Sequence, residues 1–430
     1  MIENIRDRLS GRARWFDIIE IRSASTPVSF KNNRLHSITE RNNCGFGVRV
    51  NVDGRTGFSY TNDSDRLAEV ADRAVELSSW GDAEDFDLPA TAEKPFEPYD
   101  NSIKDFDVKR EIAQAEDAIA LLKKKFPKAC IDISIGGSYG EARIINSNGI
   151  DMSYRNSHYG ASISATLILD DGARIDTWES SSSLAPAGYE QLYDKIIQKI
   201  DAALVTKPMA SGAVPVILSP RAFARVIGIM NAGLNAKSVW KGISPFADKR
   251  GVAMFNESLT VRDDPSIAGS PYSYPFDDEG VTARDKFLVN RGRIETFITD
   301  LKHAHKLGLV PEGNASRSYS SLPYPSFSNI VIEPGRDGRD AMISGISRGV
   351  LVEQFIGLGQ SNTLSGDFSA NLELAYIVEN GSIAGRVKDC MLSDNLFKLL
   401  AGEIVLSAER EQIGSVLAPY VLFPAVHFTG

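Results

Sequence analysis

The chain has 430 residues, more than one ordinary hydrophobic core occupies, so two domains of about 200 residues each are expected. Hydrophobic residues make up 43% and charged residues 24%, a soluble globular balance. With 56 acids against 47 bases the formal charge is -9, which speaks against a nucleic-acid binder, because phosphate binding needs a basic face.

The opening residues, MIENIRDRLSG, hold no apolar run, so no secretory signal is expected there. A short helix over 3–9 leads into four strands, FDIIEIRS, PVSFKNNRLHSITE, CGFGVRVNV and TGFSYTN, with Asp53-Gly54 as one of the turns. The pattern DRLAEVADRAVELS predicts a helix, and residues 80–104, rich in Asp, Pro and Glu, predict an irregular connection. A second helix, KREIAQAEDAIALLKKKF, ends on Lys123-Lys124-Lys125, where lysines suit the helix dipole. A strand meander with turns at Asn148-Gly149 and Asp171-Gly172 follows, then a helix in YEQLYDKIIQKIDAAL. The second half opens on the strand VPVILS and the apolar helix RVIGIMNAG. It continues with the hairpins KFLVN-RG-RIETFIT and LELAYIV-ENG-SIAGRV and ends on VLAPYVLFPAVHF. The short Pro/Gly/Ser segment TKPMASG marks a boundary, giving an α+β domain over 1–208 and a mostly-β domain over 209–430. No window approaches ~18 apolar residues, so no membrane span is expected. Three scattered cysteines, Cys44, Cys130 and Cys390, make neither a disulfide framework nor a zinc pattern, and a reduced cytoplasm is the expected location.

Several motifs suggest chemistry. His303 and His305 form the one close histidine pair, but a spacing of two does not share a helix face, so solvated helix histidines are expected. GGSYG around Ser138 matches a nucleophile elbow in letters only, since a strand, not a helix, follows it. The segment GLGQSNTLSGDFS lacks the helix a phosphate cradle needs and reads as a broad loop approaching a peptide or strand. Asp277, Asp278 and Glu279 sit beside a glycine. They could serve acid–base or cation chemistry, but a turn whose aspartates bond their own backbone is the favoured reading.

Together PFDDEGV, KFLVNRGRIETFITDLKHAHKLG, GLGQSNTLSGDFS, YIVENGSIAGRVKD and DNLFKLLAGEIV resemble the TldD/PmbA family, known as modulators of DNA gyrase. The N-terminal layout agrees, so the resemblance covers nearly the whole chain. It implies an α+β fold whose C-terminal domain is a large, curved, barrel-like antiparallel sheet. It further implies a cytoplasmic dimer enclosing a cleft. The TldD branch is a zinc metallopeptidase with an H-E-x-x-x-H helix and a later cysteine. The PmbA (TldE) branch lacks that motif and partners the zinc chain in trimming extended or unfolded peptides. Aligned on GLNAKSVWKG, the motif positions fall on Ile227, Gly228 and Ala232, and the cysteine position near Ile413. No residue there can ligate zinc, so no metal ligand and no catalytic residue is assigned to this chain. The resemblance therefore implies a PmbA/TldE-like subunit without a cofactor of its own. Its partner would be a TldD-like zinc chain in a heterodimer, with a homodimer open to the isolated chain, and the substrate an extended peptide. Asp277, Asp278, Glu279, Gly366 and Asp367 are the candidates for cleft lining. An active hydrolase using His303 and His305, and a homodimeric peptide- or ligand-binding protein, are the alternative readings.

Overall fold

The computed structural model describes residues 2–358 and 364–430, without the side chains of residues 2–4. Two large sheets divide the chain. The first contains β1 (Trp15–Lys31), β2 (Arg34–Ile38), β3 (Arg41–Val52), β4 (Arg55–Thr61), β5 (Cys130–Asn146), β6 (Asp151–Ile168) and β7 (Arg174–Ser183). Every pairing in it is antiparallel, in the order β4-β3-β1-β5-β6-β7 with β2 also beside β1. Four helices accompany this sheet: α1 (Ile2–Leu9), α2 (Leu67–Ser78), α3 (Val108–Lys125) and α4 (Glu190–Ala203).

The sequence predicts two strands within residues 16–40, separated before Pro27. Here β1 instead runs through Pro27 and turns at Asn32-Asn33. Both asparagines have positive φ (49° and 68°), which a two-residue hairpin turn requires and which Asn tolerates well. An extended strand accommodates the fixed φ of Pro27, whose carbonyl accepts from Thr39 N at 3.0 Å.

Helices α3 and α4 cover one face of the first sheet. The Asp107 side chain caps α3 by accepting from Lys109 N (2.9 Å), and Ala115, Ala118, Ile119 and Leu122 form its buried stripe at three- and four-residue spacing. Leu192, Ile196 and Ile200 do the same for α4. Beneath them lie Val28, Phe30, Ile133, Ile135, Tyr159 and Ile163, every second residue of their strands.

The second half contains β8 (Gly212–Leu218), α5 (Pro220–Gly233), α6 (Ala236–Trp240), β9 (Val261–Asp263), β10 (Lys286–Asn290), β11 (Arg293–Ile294) and α7 (Leu301–Leu307). It continues with β12 (Ala315–Ser316), β13 (Tyr324–Pro325), β14 (Ile330–Ile332), α8 (Arg339–Ser344), β15 (Arg348–Ile356), β16 (Asp367–Glu379) and β17 (Ser382–Val387). It ends with β18 (Met391–Asn395), α9 (Leu396–Ala401), β19 (Val405–Ile413) and β20 (Val416–Thr429). In its sheet the path β8-β15-β16-β18-β20 closes on itself because β20 also pairs with β8. The curved, barrel-like sheet that the resemblance implies is therefore present, although β8–β15 and β14–β20 run parallel within it. The parallel β8–β15 pair is possible because the chain leaves β8 into α5 and returns to β15 only after a long crossover.

Along the barrel strands the alternate residues serve two cores. Val216, Leu218, Val350, Val352 and Ile377 join Phe223, Val226, Ile227 and Met230 of α5. Their neighbours Ile217, Leu351, Tyr376 and Val378 point the other way and complete the core under α3 and α4. One apolar cluster thus spans both halves of the chain. No described helix is long and apolar enough to cross a membrane.

Candidate functional site

Helix α5 starts at Pro220, ahead of the apolar run RVIGIMNAG from which a helix is expected. The Ser219 side chain accepts from Ala222 N (3.3 Å), and Pro220 occupies the first turn, where its missing N–H costs nothing. Its inner face is apolar and fully buried, each such side chain contributing roughly 2 kcal/mol. The resemblance places the zinc motif on Ile227, Gly228 and Ala232 of this helix. Ile227 is sealed in the barrel core. Gly228 faces out, and a Cβ there would meet nothing within 4 Å. Ile413 ends β19, paired with Val416 across a tight hairpin. Zinc needs three fixed N, S or O ligands with one position open, and none of these four residues offers one. They do not fit the ion. Among the described residues no group of three or more His, Cys, Asp and Glu gathers as a ligand set elsewhere.

Two charged clusters lie where the halves of the chain meet. At the first, Lys199 of α4 places Nζ 2.7 Å from Glu179 and 2.8 Å from Glu353. Arg221, at the start of α5, donates to Glu179 (2.7 Å), with its guanidinium carbon 3.9 Å from the centre of the Trp178 ring. Burial alone would lower the Lys199 pKa, but the two carboxylates outweigh it and hold the ammonium above its usual range. The charges border a cavity of about 460 Å³ between α4, α5 and the barrel.

The second cluster joins β1 and β3 to the loop before β10. Arg49 pairs with Asp17 and with Glu279 (2.7 Å), and Arg317 closes the group on Asp17 (2.8 Å). Glu279 also accepts from Leu301 N at the start of α7 (2.7 Å). Burial works against the Asp17 charge, but Arg317 and Arg49 more than compensate and keep its pKa low.

Three of the expected cleft residues are here. Asp277 bonds its own loop, accepting from Glu279 N and Val281 N (both 2.9 Å), and reaches Ala315 N (2.9 Å). Asp278 accepts from Arg317 N (2.7 Å). Asp277 and Glu279 are 4% and 1% exposed, so they seal a junction between the halves and present no open cleft wall. Gly366 and Asp367 lie elsewhere, against the start of α9. Gly366 has φ +81°, and a Cβ on it would strike the Phe397 ring. Asp367 is exposed and held by Asn395 Nδ2 (2.8 Å) and Ser365 Oγ (2.7 Å). No hydrogen bond or ion pair among the described residues joins the two groups, and residues 359–363 of the same loop lie outside the described residues.

Burial, with the Glu279 charge behind it, pushes Asp277 up to about 8, and burial pushes Asp278 up to about 6. A carboxyl whose folded pKa is raised binds more protons folded than unfolded, so its contribution is present at low pH and lost as pH rises. Stability should therefore fall between about pH 4 and pH 8 on account of this loop. Asp278→Asn should flatten the dependence by on the order of 1–3 kcal/mol. Urea midpoints at pH 5 and pH 8 test this, and parallel curves for the two proteins would disprove it.

The expectation of two solvated helix histidines holds for His305 alone, because His303 faces inward and bonds the cap of its own helix. His303 is buried, with Nδ1 2.6 Å from the Asp300 cap of α7 and its ring against Trp240, while His305 is exposed. Ser138 lies mid-strand in β5, opposite His158, with no elbow. Arg49, Glu179, Lys199, Arg221 and Arg317 were not singled out from the sequence. Isolated charges give no local sign of partners up to 300 residues away.

The fold is thus an α+β chain of two sheets, the second closed into a barrel packed against the apolar α5. The family descriptions PmbA/TldA metallopeptidase domain 1, central domain and C-terminal domain match residues 16–78, 101–204 and 211–430. The chain belongs to the PmbA/TldD metallopeptidase family. It is 28% identical to an uncharacterized protein of Methanocaldococcus jannaschii, covering 95% of this chain and 94% of that one. It is 23% identical to the PmbA metalloprotease homologue of Haemophilus influenzae over 94% of this chain and 89% of the relative. The crystal structure of TldE from Thermococcus kodakarensis superposes with a TM-score of 0.93 at 22% identity, covering 100% of both chains. A candidate modulator of a DNA gyrase from Thermotoga maritima gives 0.91 at 23% identity, again over 100% of both.

Proposed function

We propose that this chain is the non-catalytic, PmbA/TldE-like subunit of a cytoplasmic TldD/TldE-type metallopeptidase acting on extended or unfolded peptides. The observation that supports this reading is that Ile227, Gly228 and Ala232, the α5 residues onto which the resemblance places the H-E-x-x-x-H motif, carry no ligand side chain. A hydrolytic zinc site needs its ligands and a general base together, and Gly228 supplies no base. The partner, a TldD-like chain, would bring the zinc, and this chain would complete the enclosure around the peptide.

The test mixes this protein with a TldD-like chain from the same organism and follows cleavage of an unfolded polypeptide. Cleavage is expected from the mixture and not from this chain alone, and it should be lost when the partner's glutamate in the motif is changed to glutamine. Turnover by the isolated chain, together with about one zinc held per chain, would overturn the assignment.

A further inference from the structure

We infer that the free edge formed by β2 and the first residues of β3 binds an extended polypeptide strand in which acidic and apolar side chains alternate. This builds on the peptide-handling part of the proposed function, but its test needs neither a zinc chain nor peptidase activity, so the two fail separately.

The edge is open over an unusual length. Strand β4 covers β3 only from Phe46 onward, where Phe46 faces Thr61. Between residues 34 and 44 the chain has β1 on one side. Among the described residues no backbone group there bonds to anything else. All five residues of β2 are exposed. Such an edge offers a row of unpaired N–H and C=O groups, and proteins ordinarily shorten, cover or interrupt it.

The two faces of the edge differ in chemistry. A register shift lies between Ser29 and Phe30, so that Ile38 opposes Val28 and Leu35 opposes Phe30. Both Leu35 and Ile38 therefore stand on the core face of the sheet. Val28 and Phe30 are sealed there, yet Leu35 is 43% exposed and Ile38 49% exposed. Among the described residues none seals them.

On the opposite face Arg34 stands beside Lys31, Ser37 beside Ser29, and Arg41 beside Ser25. Lys31, Arg34 and Arg41 make no ion pair among the described residues. Glu40 is the one acid between residues 31 and 45, which leaves this segment net positive in a chain of net charge -9. A trough of about 460 Å³ lies on the same face, lined by small residues such as Ser25, Ser29 and Ser138, with Arg41 among its lining.

A strand added here would repeat every two residues. One set of its side chains would extend the apolar face over Leu35 and Ile38. The other would meet Lys31, Arg34 and Arg41, where carboxylates fit and ammonium groups repel. Main-chain bonds supply affinity in this mode, and the alternating side chains supply selectivity.

The experiment is an anisotropy titration of the intact chain with a labelled, end-blocked peptide of alternating Asp and Val. Companion peptides carry Lys for Asp, the same residues in two blocks, or N-methyl groups on one or the other alternate set. The alternating Asp peptide should bind about tenfold more tightly than the Lys or block peptides. Methylation of one alternate set should abolish binding and of the other should leave it. The double variant Arg34→Glu/Arg41→Glu, its fold checked by circular dichroism, should reverse the preference toward Lys. Equal binding of the Asp and Lys peptides, indifference to methylation of either set, or no binding at about 1 mM peptide would each overturn the inference.

Discussion

Arg49→Met is expected to lower the free energy of unfolding by about 3–5 kcal/mol, although the new side chain is similar in length and fully compatible with an apolar site. The loss comes from what remains. Arg49 is the shared counter-ion of Asp17 and Glu279, and all three are buried. Removing it leaves Glu279 with only the Leu301 N–H and leaves Asp17 dependent on Arg317. Because Glu279 belongs to the second half and Asp17 to the first, the two halves should also loosen relative to each other. Urea unfolding measures the first effect, and amide exchange at residues 277–281 measures the second. Arg49→Lys should recover only part of the loss, since one ammonium cannot span both carboxylates as a guanidinium does. A loss under about 1 kcal/mol for the methionine variant would mean that water already reaches this cluster.

Lys199→Met should cost a similar amount, about 3–5 kcal/mol, at the other junction. Lys199 is the one cation bridging Glu179 and Glu353. Without it Glu353 keeps no ion partner among the described residues, while Glu179 keeps Arg221. This asymmetry makes a sharper test available. Adding Glu353→Gln to Lys199→Met should restore a substantial share of the loss, because the orphaned charge is removed with its partner. Adding Glu179→Gln should restore less, since it strands Arg221 instead. The coupling energies from the two double-mutant cycles should rank in that order. The reverse ranking would place the dominant interaction on Glu179.

How legible the chain was from its letters depends on the range over which each feature is decided. Helices α2, α3 and α4 follow from stripes at three- and four-residue spacing and from the Asp107 cap, all within a few residues. The turns at Asp53-Gly54 and in Glu379-Asn380-Gly381 were legible because the positive φ at Asp53, Gly54, Asn380 and Gly381 has a local chemical signature. The Asn32-Asn33 turn lacks the glycine of those two, so PVSFKNNRLHSITE reads as one strand although both asparagines have positive φ. Asp277 bonding its own loop was likewise visible in the DDEG spacing. That Glu279 would reach back to Arg49 was not, since the pairing depends on how the two sheets dock. Gly366 and Asp367 were grouped with that loop as cleft lining on sequence alone, and the fold sets them apart at α9.

The cluster shared by the two sheets has a consequence for how the protein is made. The floor beneath α3 and α4 is completed by Leu351, Leu374, Tyr376 and Val378, which follow Ala203 by well over a hundred residues. On a ribosome adding about 5–20 residues each second, the first half would wait roughly 10–35 s with this part of its core missing. During that interval it presents the kind of surface that chaperones hold. Stalled chains ending near residue 230 should therefore be digested readily between α3 and α4, and chains ending beyond residue 410 should resist.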